Sequence, residues 1–229
     1  MICDMKFSII IPVLNDNLSL SHLLPVIHPL VNSSVEVIVV DGGSGPELSI
    51  DTEQWPGIVV THSAPGRAIQ MNQGARIAKG DMLWFLHADT SFAMPCYQYL
   101  EAIKGSKSDW GRFNIRLSGK ALIFRLISFC INCRSRLTGV SSGDQGIFID
   151  KDLFDSINGF ANIPLMEDIE LCKRLKRLSK PVALKQTLIT SSRRWEKNGV
   201  IKTILLMWKI RLLYFFGTDP DKLHQLYYK

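Results

Sequence analysis

Met82-Leu-Trp-Phe-Leu86 is an unbroken apolar run held between Asp81 and His87. It is too short to cross a bilayer and has the length of a strand covered on both faces, the kind that builds parallel sheets. It stops on His87-Ala88-Asp89, so an imidazole and a carboxylate leave the chain just past the carboxyl end of that strand. In an open parallel sheet that edge is where ligands bind. Two such groups two residues apart can share a divalent cation or a metal-bound phosphate. A strand followed by a plain polar turn fits this stretch equally well, and the rest of the chain has to decide.

The segments before it repeat the same grammar. Phe7–Val13 reads as a first buried strand, with Pro12 near its end, where a missing backbone donor does least harm. Asn15-Asp16-Asn17 is a turn and a helix start, and Leu18, Leu20, Leu23, Leu24 and Ile27 give that helix an apolar side up to Pro29. Residues 35–40 form a second strand that ends in Asp41-Gly-Gly-Ser-Gly45, where glycines let the backbone approach a ligand that the carboxylate can reach. Residues 57–61 are a third strand. Gly66-Arg67 opens a helix that carries Ile69, Asn72, Gln73 and Arg76 and stops near Lys79-Gly80. Arg67 stands at the helix start, where backbone donors and a guanidinium together hold phosphate, although a solvated surface arginine is the plainer reading. Strands alternating with helices argue for an α/β protein with a parallel sheet.

With 229 residues, 46% of them apolar, the chain is long enough for a large core. Lys6 is followed by the first strand and by no small-residue cleavage site, so the start does not read as a secretion signal. The five cysteines (3, 96, 130, 133 and 172) are odd in number and scattered. Cys130-Ile-Asn-Cys133 has no second pair or nearby histidine to complete a zinc site, so free or buried thiols in a reducing compartment are expected. Charge is divided unevenly. Residues 1–110 hold 6 Lys+Arg against 11 Asp+Glu, and residues 111–229 hold 21 against 10. The second half is therefore built to meet something anionic, for which nucleic acid, anionic lipid and a phosphorylated substrate all qualify.

The order of the motifs narrows this. Ile9-Ile-Ile-Pro-Val-Leu-Asn15, Val37-Ile-Val-Val-Asp-Gly-Gly-Ser44, Gly66-Arg67 with Asn72-Gln-Gly-Ala75, Leu86-His-Ala-Asp89 and Met166-Glu-Asp-Ile-Glu170 resemble, in sequence order, the family 2 glycosyltransferases of GT-A fold. The resemblance covers about residues 6 to 195. It looks nearest to a compact bacterial branch associated with radical-SAM and selenium-related gene neighbourhoods. It implies a Rossmann-like, mostly parallel sheet flanked by helices. A nucleotide-binding half would span about 1–110, an acceptor half 111–195 and a C-terminal helical extension 196–229. By the same resemblance Pro12 and Asn15 shape the first nucleotide loop, Asp41 faces base or ribose, and Arg67 and Asn72 belong to the nucleotide side. Asp89, with His87, holds the diphosphate through Mn²⁺ or Mg²⁺. Asp168 is the base that deprotonates the acceptor hydroxyl, with Glu167 beside it. Two departures stand out: Gly42 where a second acid is common, and His87 where the metal motif usually opens with aspartate. Imidazole is a poorer ligand for Mg²⁺ than for Mn²⁺.

The expected reaction moves a sugar from a nucleotide diphosphate donor to an unidentified acceptor, with inversion. The expected location is the cytoplasm or the inner face of its membrane, and nucleic acid is not among the partners. Two rival classes stay open. A nucleotidyltransferase would carry a glycine-rich basic signature near the first strand, which Asn15-Asp16-Asn17 does not supply. A non-catalytic nucleotide-binding or membrane-adaptor protein would need no acid at Asp168. Outside the motif order, Glu167-Asp168 reads as acids in a first helical turn, complementing the macrodipole.

The second half is read more coarsely. Residues 109–117 alternate as a strand, with Trp110 and Phe113 as core. Residues 121–137 form an amphipathic helix over the acceptor side or against a partner. Gly143-Asp144-Gln145-Gly146 precedes a strand at 147–149, which makes Asp144 and Gln145 acceptor-side candidates. Lys173–Lys180 reads as the solvated face of a helix. After a strand at 182–190, Arg193 and Arg194 are candidate phosphate contacts. Residues 200–216 are rich in large apolar side chains yet contain Lys202, Lys209 and Arg211, too polar for a span. Packing on the core or a homodimer contact ranks first for this helix, and attachment to a membrane surface second.

Overall fold

A computed structural model of the chain describes residues 5–45 and 53–228, which leaves Cys3 outside the described residues. One eight-stranded sheet runs through it. The strands are β1 (Phe7–Val13), β2 (Val35–Asp41), β3 (Ile58–His62), β4 (Met82–Phe85), β5 (Ser91–Phe92), β6 (Trp110–Leu117), β7 (Phe148–Asp150) and β8 (Val182–Thr190), in the order β3-β2-β1-β4-β7-β6-β8-β5. β1 pairs parallel with both β2 and β4, and β2 parallel with β3. β7 enters antiparallel between β4 and β6, and β8 lies parallel to β6. The chain steps outward from β1 through β2 to β3 and then returns to the other side of β1 at β4. That reversal opens a crevice at the carboxyl ends of β1 and β4, the place where ligands bind such sheets.

The apolar runs are continuous because both faces of the sheet are covered, and residue parity sorts them. On one face Phe7, Ile9 and Ile11 of β1, Val37 and Val39 of β2 and Trp84 of β4 pack with Leu20, Leu24 and Ile27 of helix α1 (Asn17–Ile27). Helix α3 (Tyr97–Ser106) adds Tyr99 and Ile103 there. On the other face Ile10, Ile38, Val40, Leu83 and Phe85 meet Ala68, Met71 and Ala75 of helix α2 (Arg67–Ile77). Helices α5 (Lys151–Ser156) and α6 (Glu167–Leu175) close that layer with Phe154, Leu171 and Leu175. Trp84 is fully buried among Tyr99, Phe92 and Phe113, with ring centroids 5.4–6.1 Å away. Trp110 and Phe113 are fully buried in the core.

Pro12 is tolerated in an interior strand because of its register. Leu86 N–H donates to Ile10 O, so the edge of β1 that carries residues 10 and 12 faces β4, and β4 has ended at Phe85. The missing donor of Pro12 therefore has no ladder partner to disappoint.

Helix α4 (Leu122–Thr138) lies along β6 through Phe124 and Ile127. Three helices follow β8: α7 (Arg193–Asn198), α8 (Val200–Phe215) and α9 (Pro220–Tyr228). Ile210 of α8 and Leu223 of α9 are buried against Met166 and Ile169 at the start of α6, so the C-terminal helices brace the segment that carries Glu167 and Asp168. The basic stretch 173–180 is largely exposed, as expected, with Lys173, Lys176, Arg177 and Lys180 on the surface, and Arg174 and Lys173 also make contacts. Arg174 is bound by Glu170 and by the carbonyls of Ile157 and Gly159, and Lys173 lies 4.5 Å over the Tyr214 ring. These contacts help fasten helix α6 to its neighbours.

Candidate active site

At the crevice, the loops after β1 and β2 are locked together. Asn15, in the left-handed region at φ 53°, donates its backbone N–H to Ser44 Oγ at 2.8 Å. Ser44 N–H in turn donates to Asp41 Oδ1 at 3.0 Å, and His62 Nδ1 lies 3.3 Å from Asp41 Oδ2. Burial works against the Asp41 charge, but these hydrogen bonds outweigh it and hold the carboxyl below its ordinary value. Gln70, which carries no local sequence signal, is buried and donates to Val13 O at 2.7 Å and Val40 O at 2.9 Å. It bridges the carboxyl ends of β1 and β2 and satisfies two carbonyls there. A Cβ on residue 42 would stand 2.9 Å from the Gln70 carboxamide carbon, so Gly42 occupies the usual place of an acid for lack of room.

On the other side of the crevice the His87-Ala88-Asp89 loop is closed by Thr90 N–H donating to His87 O. Burial, helped by the charge of Arg67, holds the His87 imidazole well below its ordinary pKa, so it is neutral. Its Nε2 is buried and has no hydrogen-bond partner among the described residues. Burial and the charge of Asp16 raise the Asp89 carboxyl, while Arg193 and Arg67 pull it down. Two cations thus already face the carboxylate expected to serve a diphosphate.

The acidic pair at 167–168 sits within reach of both. Arg67 Nη1 is 3.6 Å from Glu167 Oε1, joining positions 100 residues apart in sequence. Burial alone would lower the Arg67 pKa, and Glu167 and Asp168 more than reverse it. Asp168 Oδ2 accepts from Gly143 N–H at 2.7 Å, and Oδ1 from Ile169 N–H at 2.7 Å. A Cβ on Gly143 would stand 2.9 Å from His87 Nε2 and 3.8 Å from Asp168 Oδ2, so imidazole, glycine and carboxylate share one small space. Asp144, raised by burial, has a buried Oδ1 without a partner there, and the Arg134 guanidinium influences it from α4.

Burial and Asp168 push the Glu167 carboxyl from 4.5 up to about 7, with Arg67 opposing. The folded chain then keeps a proton that the unfolded chain releases first. This contribution to stability is full below pH 4.5 and is lost as pH rises through about 7. Glu167→Gln should therefore flatten the fall in stability across that window by on the order of 2 kcal/mol. Urea midpoints measured on either side of the window check it, and an unchanged slope in the variant would assign the effect to another group.

Some expected contacts are spent elsewhere. Asn72 donates to Phe160 O at 2.8 Å and accepts from Phe160 N–H at 2.9 Å, clasping the loop before α6 in place of a substrate. Gln145 is fully buried, with its amide on Phe113 O and Ser135 Oγ and its carbonyl on Ser142 N–H, so it shapes the loop and does not face the cleft. Arg193 reaches back to Asp16 Oδ2 at 3.3 Å and Ser19 Oγ at 2.8 Å, beside Asp89. Arg194 donates to Tyr227 O at 2.7 Å, with its guanidinium carbon 3.5 Å from the Tyr227 ring centroid. The Tyr227–Arg194 joint had no signal in the local sequence, because each half looks like an ordinary amphipathic end.

Comparison with known proteins bears on the family and the fold. Residues 8–103 match the model for glycosyl transferase family 2. Two glycosyltransferases of Mycobacterium tuberculosis, from different strains, are each 34% identical over 164 residues, which is 67% of this chain. The chain spans 62% of the length of those relatives. Among solved structures, S. aureus TarS 1–349 in complex with UDP superposes with a TM-score of 0.64 at 17% identity, over 82% of this chain and 60% of that one. The mannosyltransferase PcManGT from Pyrobaculum calidifontis, in complex with GDP-Man and Mn²⁺, gives 0.62 at 16% identity over 97% and 68%. Glucosyl-3-phosphoglycerate synthase from M. tuberculosis, with Mn²⁺, UDP and glucosyl-3-phosphoglycerate, gives 0.58 at 18% over 81% and 71%. The fold is that of GT-A glycosyltransferases, and the chain belongs to glycosyl transferase family 2.

Proposed function

We propose that this chain transfers a sugar from a nucleoside diphosphate sugar to an acceptor hydroxyl, inverting the anomeric carbon. The observation that carries this reading is the Arg67–Glu167 contact. It joins the cation of the donor loops to the acidic pair of the acceptor side at one crevice. Asp41 would take the nucleoside end in its buried pocket. Arg67, at the amino end of α2, and Arg193 would face the diphosphate, whose charge grows as the sugar leaves. The acceptor oxygen would give its proton to Asp168 as it bonds to the anomeric carbon, while the bond from that carbon to the diphosphate oxygen breaks with its electron pair. The backbone N–H of Gly143 orients the Asp168 carboxylate, and Glu167 keeps Arg67 in place.

Among the described residues no three His, Cys, Asp or Glu side chains converge into a closed metal cage. The neutral, unpartnered His87 Nε2 and Asp89 fit an open site, in which the protein gives one or two ligands and phosphate and water give the rest. A divalent ion there would neutralise the departing diphosphate. The softer imidazole favours Mn²⁺ over Mg²⁺, and two of the structural neighbours were crystallised with Mn²⁺.

The test is a thermal-shift panel of nucleoside diphosphates and their sugars, with and without Mn²⁺. A ligand at about 100 times its Kd stabilises by about 2.7 kcal/mol, which is roughly 5–10 °C for a chain of this size. UDP- or GDP-type ligands should raise Tm, and more so with Mn²⁺. A folded chain that responds to no nucleoside diphosphate would refute the donor site.

A further inference from the structure

Helix α8 is apolar on two opposite sides. Ile210 is buried against α6 and α9, while Ile201, Leu205, Trp208, Leu212 and Phe215 stand 58–75% exposed. Their spacing of four, three, four and three residues puts them in one stripe along the whole helix. Helix α4 does the same. Phe124 and Ile127 are buried, and Leu122, Leu126 and Phe129 are exposed. The inner faces of the two helices share one apolar cluster, Phe124 and Ile127 of α4 with Val200 and Ile204 of α8, which brings the helices near each other. Scattered exposed apolar residues need no explanation, but aligned rows on adjoining helices mark a contact surface.

Charge decides what covers it. Neither α4 nor α8 contains an aspartate or glutamate, and Arg125, Lys202 and Lys209 are exposed beside the stripes. A second copy laid on this surface would bring these cations together with no carboxylate on either helix to meet them. An anionic lipid surface supplies both an apolar layer and the counter-charge. Spanning is excluded for these elements: α8 has 16 residues, about 24 Å, and no helix among the described residues is long and apolar enough to cross a membrane. Trp208 is of the type that settles at the headgroup boundary, and Phe215 and Phe216 add apolar area at the end of the helix.

We propose that the outer faces of α8 and α4 dock the protein in the plane of an anionic bilayer surface. This goes beyond the transferase reading and does not depend on it. Its consequence is positional. α8 passes into α9, whose Tyr227 holds Arg194 and whose Leu223 packs beside Met166, so docking would place the 167–168 acids close to the lipid.

The experiment is co-sedimentation of the full chain with phosphatidylglycerol-containing and with pure phosphatidylcholine vesicles, at low and high salt. Binding should require the anionic lipid and weaken with salt. Lys202→Gln/Lys209→Gln should cost about fivefold per lysine. Leu205→Glu/Leu212→Glu, at exposed positions, should abolish binding while circular dichroism and Tm stay unchanged. No pelleting by the unaltered chain, or equal pelleting on both lipids at any salt, would overturn the proposal. So would a stable dimer in light scattering that Leu205→Glu/Leu212→Glu splits, since the stripe would then be an interface between copies.

Discussion

Asp168→Asn is expected to lower turnover on the order of 10²–10⁴-fold, the usual contribution of a positioned base, while donor affinity stays near that of the unaltered chain. The amide keeps the size of the carboxylate but cannot take a proton. Both carboxylate oxygens accept backbone N–H groups, from Gly143 and Ile169, and the amide oxygen can keep only one of them, so a modest loss of stability should accompany the loss of turnover. The donor side should not feel the change, because Arg67 retains its nearer partner, Glu167. Glu167→Gln should show a different pattern. It weakens the hold on Arg67, so its loss should fall more on donor KM than on kcat. Hydrolysis of the donor by water measures both without an identified acceptor, since water too must lose a proton. If Asp168→Asn hydrolyses donor at the normal rate and Glu167→Gln does not, the base is Glu167. If the unaltered chain binds nucleotide sugar and never consumes it, the binding-module alternative prevails.

The second large effect is expected at Asp89. Its carboxyl is held in an unfavourable setting, raised first by burial and then by Asp16, with Arg193 and Arg67 compensating only in part. A folded pKa above the unfolded one means that this group's contribution to stability is lost as pH rises through the folded value. Asp89→Ala should therefore leave Tm at neutral pH unchanged or slightly higher, because Leu86 and the strand before it stay packed. Nucleoside diphosphate affinity should fall about 10–100-fold, and the extra stabilisation by Mn²⁺ should vanish. Residues kept against stability are those that function demands. Isothermal titration with and without Mn²⁺ reads the affinity. A variant that unfolds, or that folds and keeps its metal-dependent affinity, would make Asp89 a structural residue.

Sequence alone determined the strands, and with them the edge where chemistry could sit. β1, β2 and β4 are runs of apolar residues with both parities filled, and only a strand covered on both faces needs that. Polar or glycine-rich residues end each run, so Asn15, Asp41, His87 and Asp89 could be placed at the carboxyl edge before any coordinates. The helices α2 and α6 were legible from their start signals, and the resemblance in motif order supplied the roles proposed for their residues. The short elements were not legible. β5 has 2 residues and owes its existence to pairing with β8, and α3 and α5 gave no periodic signal strong enough to stand out.

What only the tertiary structure decided is which side chains are free to act. Asn72 and Gln145 have the same chemistry as donor contacts, yet their amides are consumed by backbone groups 88 and 32 residues away. Gln70 looked like one polar position among several on α2, and it bridges the last carbonyls of β1 and β2 and crowds the space beside residue 42. Glu167 read as an acid in a first helical turn until Arg67 arrived at 3.6 Å. Most buried polar groups find a partner, wherever packing brings a complementary group within about 3 Å, and the few left without one, such as His87 Nε2, are the candidates for a ligand. Local sequence records propensity and burial pattern. It carries no record of such distances, so the apolar runs could be read directly and the pairings that hold the crevice open could not.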